Sequence, residues 1–225
     1  MKIETPPSAR APFALLAAIL IIAGAAIVGA MRHTSMTFDE IVLMAGGARG
    51  YETGRFDLVP EQGPIMQYVY GLPIYLARPN FPEEPKFEGS PPRGYHYYYG
   101  RKFFFEASND PERLTFLGRL GAVACALATV VVVYAFTRRA AGETAALLAA
   151  ALVAFLPDIL AHGGVAYNDV PHALAFFAAV WGIDAAVRSP TVARGAMAGA
   201  LVALAIGVKF SALALGPIAV LLAGA

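Results

Sequence analysis

The chain has 225 residues, is 58% hydrophobic and 15% charged, and carries a formal net charge of +1. Soluble domains run at about 45–50% apolar and 25% charged residues, so an ordinary soluble fold is excluded, and without a basic face so is a nucleic-acid partner. The single cysteine, Cys125, excludes a disulfide framework and a cysteine zinc site, and reads as a small apolar residue within an apolar run.

The charges are unevenly spread: nine of the 17 Lys and Arg and eleven of the 16 Asp and Glu lie between Arg32 and Arg113. The rest is nearly uncharged, as lipid-facing helices require. The first apolar run, residues 11–31, follows Lys2 and Arg10. Its roughly 20 residues match a bilayer core about 30 Å thick. It reads as an uncleaved anchor, with a signal peptide cleaved near Val28-Gly29-Ala30 as the alternative.

Residues 32–113 form a polar loop rich in Pro, Gly and aromatic residues. Within it, Ile41, Met44, Ala45 and Ala48 have helical spacing over 39–51, with Gly54 placed to stop the helix. Residues 64–77 are apolar but too short to span, and Pro73 bends them. Both segments are expected as helices at the membrane surface. The tract Tyr95-His96-Tyr97-Tyr98-Tyr99 and Phe103-Phe104-Phe105 reads as an interfacial aromatic belt or as substrate contacts.

Beyond the loop, spans are expected at 114–136, 140–160, 167–187, 192–208 and 210–225, the last two divided at Lys209. The predicted architecture is an all-α polytopic membrane protein of about six spans. With the N-terminus inside, Arg138, Arg139, Arg188 and Arg194 fall in cytoplasmic turns, in agreement with the positive-inside rule. The loop, Asp158, His162, Asp169 and Lys209 then share the extracytoplasmic face. An ionised side chain at the middle of a span costs about 2.5–3.5 kcal/mol, and polar groups gathered instead at one face suggest a site there.

The individual residues have bland readings beside functional ones. Thr37-Phe38-Asp39-Glu40 matches a capping box, which accounts for Thr37 and Glu40 but not for Asp39. Asn168-Asp169-Val170-Pro171 matches a helix cap, and His172 falls on the same face as Asp169. Lys209 is either a snorkelling lysine or a cation for phosphate. Asp158 and His162, beside Pro157 and Gly163-Gly164, suggest mainly a helix end, and Asp184 and Arg188 an ion pair. No Gly-rich phosphate loop, serine nucleophile elbow or His-rich metal motif is present, which leaves a nucleotide-fuelled transporter or zinc protease without a basis.

The order of these features resembles the GT-C glycosyltransferases. One span is followed by Asp39-Glu40, then Tyr51-Glu52-Thr53-Gly54-Arg55-Phe56, then a Pro-containing apolar helix. The chain most resembles glycosyltransferase family 39, the branch of protein O-mannosyltransferases and the lipid A aminoarabinose transferase. Asn109-Asp110-Pro111-Glu112-Arg113-Leu114 running into Gly118-Arg119-Leu120, Tyr167-Asn168-Asp169-Val170-Pro171, and Gly207-Val208-Lys209-Phe210-Ser211 are similar to that branch's later motifs. Where many relatives carry His-Pro-Pro-Leu and a following Lys, this chain has Gln62-Gly63-Pro64-Ile65-Met66-Gln67.

The resemblance implies a GT-C-like helix bundle in a bacterial inner membrane, continuing in further spans beyond Ala225. It implies inverting transfer of a sugar from a polyprenyl-phosphate carrier to a lipid, glycan or protein hydroxyl outside the cytoplasm. Asp39 would be the general base, with Glu40 and Asp169 orienting the base, the acceptor or a divalent metal. Lys209, Arg55, Gln62, Asn168 and His172 would bind substrate or phosphate. No metal ligand set is assigned. A transporter or flippase, and a scaffold in which the acidic residues serve only as caps, are the alternatives.

Overall fold

The computed structural model describes residues 10–85, 88–89 and 91–224. Lys2 and Ala225, on which parts of the span assignments rest, lie outside them. The described chain is helical: α1 Arg10–Met31, α2 Phe38–Thr53, α3 Pro64–Leu76, α4 Tyr95–Phe105, α5 Pro111–Ala141, α6 Glu143–Ala154, α7 Pro157–His162, α8 Asp169–Arg188, α9 Val192–Val208, a 3₁₀ turn Phe210–Ala214, and α10 Leu215–Gly224. It is an all-α membrane protein. Three helices, Ala11–Met31, Pro111–Ala141 and Asp169–Arg188, are long and apolar enough to cross a bilayer.

Local chemistry explains where the helices begin and end. Asp110 accepts from the Arg113 amide at 3.0 Å and Pro111 occupies the first helical turn, so α5 starts sharply. It runs through 140–141, past the expected start of the next span, and ends where Gly142 takes a φ of 84°. The segment expected as one span at 140–160 is instead two helices. Pro157 disfavours helical geometry in the residue before it, and Leu156 is extended (φ −61°, ψ 129°), so α6 stops and α7 starts anew. Similarly, the last expected span is the 3₁₀ turn followed by α10, because Lys209 adopts an extended conformation (φ −154°, ψ 128°).

The polar loop holds the principal surprise. It contains three helices, the aromatic tract being the third, α4. The first is no surface helix: Val42 to Gly50 of α2 are buried without interruption. Small residues make this possible. A Cβ on Gly47 would lie 2.0 Å from the Gln67 carbonyl oxygen, and one on Gly71 would lie 2.2 Å from the Gly47 carbonyl carbon. Helices α2 and α3 therefore cross in backbone contact, a packing that only glycine permits. Leu43, Met44, Met66, Tyr70, Ile74, Phe103 and Phe104 fill the core around this crossing.

Candidate active site at one end of the helix bundle

The first turn of α2 carries both acidic residues of the Asp39-Glu40 pair, and they face opposite environments. Glu40 is fully buried. Its Oε1 accepts from Arg119 Nε at 2.7 Å and from the Ala166 amide at 2.8 Å, and its Oε2 from Arg119 Nη2 and the Thr37 amide, each at 2.8 Å. Burial pushes the carboxyl up, but Arg119 and the two amides outweigh it and hold Glu40 below the usual carboxylate range. Arg119 spends its remaining donors on the carbonyls of Met31, Thr34 and Ser35 at 2.8–3.0 Å. The pair thus ties the exit of α1, the start of α2, the middle of the chain and the 163–168 turn into one unit.

Asp39 is exposed, with no hydrogen bond or ion pair among the described residues. It lies close to Tyr97 of α4. Burial raises the Tyr97 hydroxyl above its ordinary pKa, and Asp39, Glu61 and Tyr167 add to the shift. Phe38 stacks on the Tyr97 ring at 4.2 Å. A recess of about 590 Å³ opens beside them, lined by Phe38, Ile41, Tyr97, Tyr98, Arg101 and Phe105 among others.

The later motifs gather next to Tyr167. Its carbonyl accepts from the buried Tyr70 hydroxyl at 2.6 Å, which fixes the turn before α8 onto α3. Asn168 is fully buried and donates through Nδ2 to Gln62 Oε1 at 3.0 Å and to the Val208 carbonyl at 3.1 Å. Gly63 presses against the end of α9, where a Cβ would lie 2.2 Å from the Gly207 carbonyl oxygen. Lys209, in the break after α9, donates to Asp169 Oδ1 at 2.7 Å and lies 5.9 Å from the Tyr167 ring centroid. His172 Nε2 and Ser211 Oγ are 3.2 Å apart. Gln62, Asn168, Asp169, His172 and Lys209 are therefore brought together, while Asp39 stands apart from them, its charge and Tyr167 both acting on the Tyr97 hydroxyl.

Arg55 is not among them. It follows the far end of α2, which at about 1.5 Å per residue separates it from Asp39 by some 20 Å. There it binds Asp57 Oδ2 through Nη2 at 2.5 Å. Asp57 is shared with the buried Arg49, which also pairs with Glu84 at 2.7 Å. Burial raises the Asp57 carboxyl, and the two arginines more than reverse the effect, leaving it lowered. This cluster closes the loop onto α2. Among the described residues no group of three or more His, Cys, Asp and Glu converges with metal-ligand spacing. The Glu40 and Asp169 carboxylates are taken by Arg119 and Lys209.

Sequence reasoning misses Tyr70 and Glu61, and names Tyr97 and Arg119 only as members of the aromatic tract and of the Gly118-Arg119-Leu120 motif. The signal for Arg119 was there: a lone guanidinium inside an apolar run must find a partner. For Tyr97, ten tyrosines in the chain offered no local means of choosing one.

The family model for dolichyl-phosphate-mannose-protein mannosyltransferases matches residues 112–225, just over half of the chain. The matched part runs from the first turn of α5 to α10 and includes Arg119, Asp169 and Lys209, while Asp39 and Glu40 precede it. No curated protein and no solved structure matches the chain. A bundle of apolar helices, matched over α5–α10 by that model, places this chain in the dolichyl-phosphate-mannose-protein mannosyltransferase family of membrane glycosyltransferases.

Proposed function

We propose that the chain transfers a sugar from a polyprenyl-phosphate carrier to an acceptor hydroxyl, with inversion, on the extracytoplasmic face of a bacterial inner membrane. The observation that supports this reading is an exposed carboxylate, Asp39, unpaired among the described residues and near Tyr97, whose hydroxyl also feels Tyr167, the ring beside the Lys209–Asp169 pair. The acceptor oxygen attacks the anomeric carbon as the bond from that carbon to the phosphate oxygen breaks. The proton passes to Asp39, a contribution of about 10²–10⁴-fold in rate for a positioned general base. Charge on the departing polyprenyl phosphate is stabilised by Lys209.

Asp169 holds the lysine in place, while Gln62 and Asn168 fix the turn that carries it. Glu40 is a positioning residue that acts through Arg119 and the 163–168 turn. The recess beside Phe38 and Tyr97 supplies an aromatic surface for the acceptor. The extracytoplasmic assignment is supported by Arg138, Arg139, Arg188 and Arg194, which occupy the opposite ends of α5, α8 and α9 and suit a cytoplasmic side. The test is transfer from a polyprenyl-phosphate-linked mannose by the native enzyme in membranes. Donor consumption that requires an acceptor is expected. A preparation that binds no donor and transfers nothing overturns the reading.

A further inference from the structure

At the end of the bundle away from Asp39, three arginines from three helices surround one recess of about 490 Å³. Arg139 belongs to the last turn of α5, Arg188 closes α8, and Arg194 lies in the first turn of α9. The nearby carboxylates are already engaged. Glu143 takes Arg138 Nε at 2.7 Å and the Tyr134 hydroxyl. Asp184, the one carboxylate in the lining, takes Arg188 Nε at 2.8 Å.

Arg139 has no carboxylate partner among the described residues. Its guanidinium instead lies 5.8 Å from the Trp181 ring centroid. Arg194 donates through Nη1 to the Ser189 carbonyl at 2.8 Å and keeps its other side-chain donors. Three guanidinium groups against one carboxylate leave two positive charges in excess within the recess. Its lining is partly aromatic: Phe136 meets Trp181 edge-on at 5.6 Å, and Phe136 also meets Phe177 of α8 at 5.3 Å, so apolar rings continue beside the recess where α5 and α8 pack.

The helix ends alone account for some of these cations, because Arg138, Arg139 and Arg188 offset the negative ends of α5 and α8. The positive-inside rule likewise asks only for basic residues on one side. Neither asks for arginines from three separate segments to line one recess together with a tryptophan. Arg194 moreover sits at the N-terminal end of its helix, where a cation is unfavourable. A ligand with a phosphate head and an apolar tail satisfies both parts of the recess: the guanidinium donors take the phosphate oxygens, and the tail lies along Phe136 and Phe177.

We propose that this recess binds an anionic glycerophospholipid of the facing leaflet, its phosphate between Arg139, Arg188 and Arg194 and one acyl chain against Phe136. The binding is independent of the sugar-transfer reading. It is tested by native mass spectrometry of the intact protein titrated with phosphatidylglycerol or with phosphatidylcholine of the same acyl chains. Wild type is expected to retain phosphatidylglycerol preferentially. Each arginine removed should lower that affinity about fivefold, so that Arg139→Gln with Arg194→Gln costs about 25-fold and leaves phosphatidylcholine binding unchanged. Arg32→Gln, at the other end of the bundle, should retain the preference.

Equal retention of the two lipids by wild type overturns the proposal without any variant. So does an undiminished preference in the double variant, or an equal loss in Arg32→Gln. Displacement of the lipid by millimolar inorganic phosphate would identify a small-phosphate site and overturn the lipid assignment.

Discussion

Arg119 Nε and Nη2 donate to the two carboxylate oxygens of Glu40 at 2.7 and 2.8 Å, across 79 residues of sequence, with both side chains buried. The Ala166 and Thr37 amides complete the shell, so every strong acceptor direction of the carboxylate is used. A buried ion pair of this kind adds little net stability over an apolar pair of the same shape, but removing one partner strands the other charge.

Glu40→Ala and Arg119→Ala should therefore each destabilise the protein by about 3–5 kcal/mol, and the double variant by clearly less than the sum. Denaturation in detergent micelles checks this. Additive losses would mean that the two side chains are not coupled.

Acid should expose the same pair. The folded Glu40 carboxyl is held below its ordinary value, as is that of Asp57. Near pH 4 the unfolded chain therefore binds more protons than the folded one. The stabilisation is complete above the ordinary carboxylate pKa of about 4.3 and is lost as pH falls through the lower folded values. Unfolding midpoints should be flat down to about pH 5 and then drop. Glu40→Gln should lower the neutral-pH midpoint and flatten the acid limb.

Asp39 should behave in the opposite way. It is exposed and unpaired among the described residues, and Thr37 rather than Asp39 caps α2, so its charge contributes at most about 1 kcal/mol to the helix start. Asp39→Asn should move the unfolding midpoint only slightly and reduce transfer about 10²–10⁴-fold. Full activity in this variant would remove Asp39 as the base and leave it a helix-start residue.

The Lys209–Asp169 pair is largely open to solvent, with the Asp169 side chain 59% exposed. Its breakage should cost less than about 1 kcal/mol of stability. Lys209→Met should nonetheless lower kcat by about 10²-fold or more, because its partner in the reaction is a developing charge. Asp169→Asn should have a milder effect on kcat, with Lys209 present but unheld. Loss of stability without loss of turnover would reverse the assignment.

Gly63 joins the two halves of the candidate site by lying against the backbone at the end of α9. In Gly63→Ala the new Cβ would meet the Gly207 and Val208 carbonyl oxygens at 2.2 and 2.6 Å, and neither can move without shifting Lys209. The expected outcome is a stability loss of about 1–3 kcal/mol together with reduced transfer, although every charged residue of the site is intact. Gly199→Ala is the control, since nothing lies within 4 Å of its Cβ position.

Membrane class and helical architecture were determined by the sequence alone, because long uncharged runs leave the backbone no partner but itself. The same locality made Gly54 legible as the end of α2, where the backbone turns to φ 72°. The motifs Asp39-Glu40, Asn168-Asp169 and Gly207-Val208-Lys209 could be found as residue patterns. Their partners could not.

Only the tertiary structure decided that Glu40 faces inward and Asp39 outward, because the distinction rests on Arg119 and on Ala166, 79 and 126 residues away. It decided that α2 is a core helix, since glycines at 47 and 71 matter only once two backbones meet. It also separated Arg55 from the site, because a buried Arg49 and its two carboxylates hold Arg55 beyond the other end of α2. Capping and helix breaking are settled by energies within a few residues. The pairing of buried charges is settled by desolvation, which depends on whatever the folded chain brings alongside.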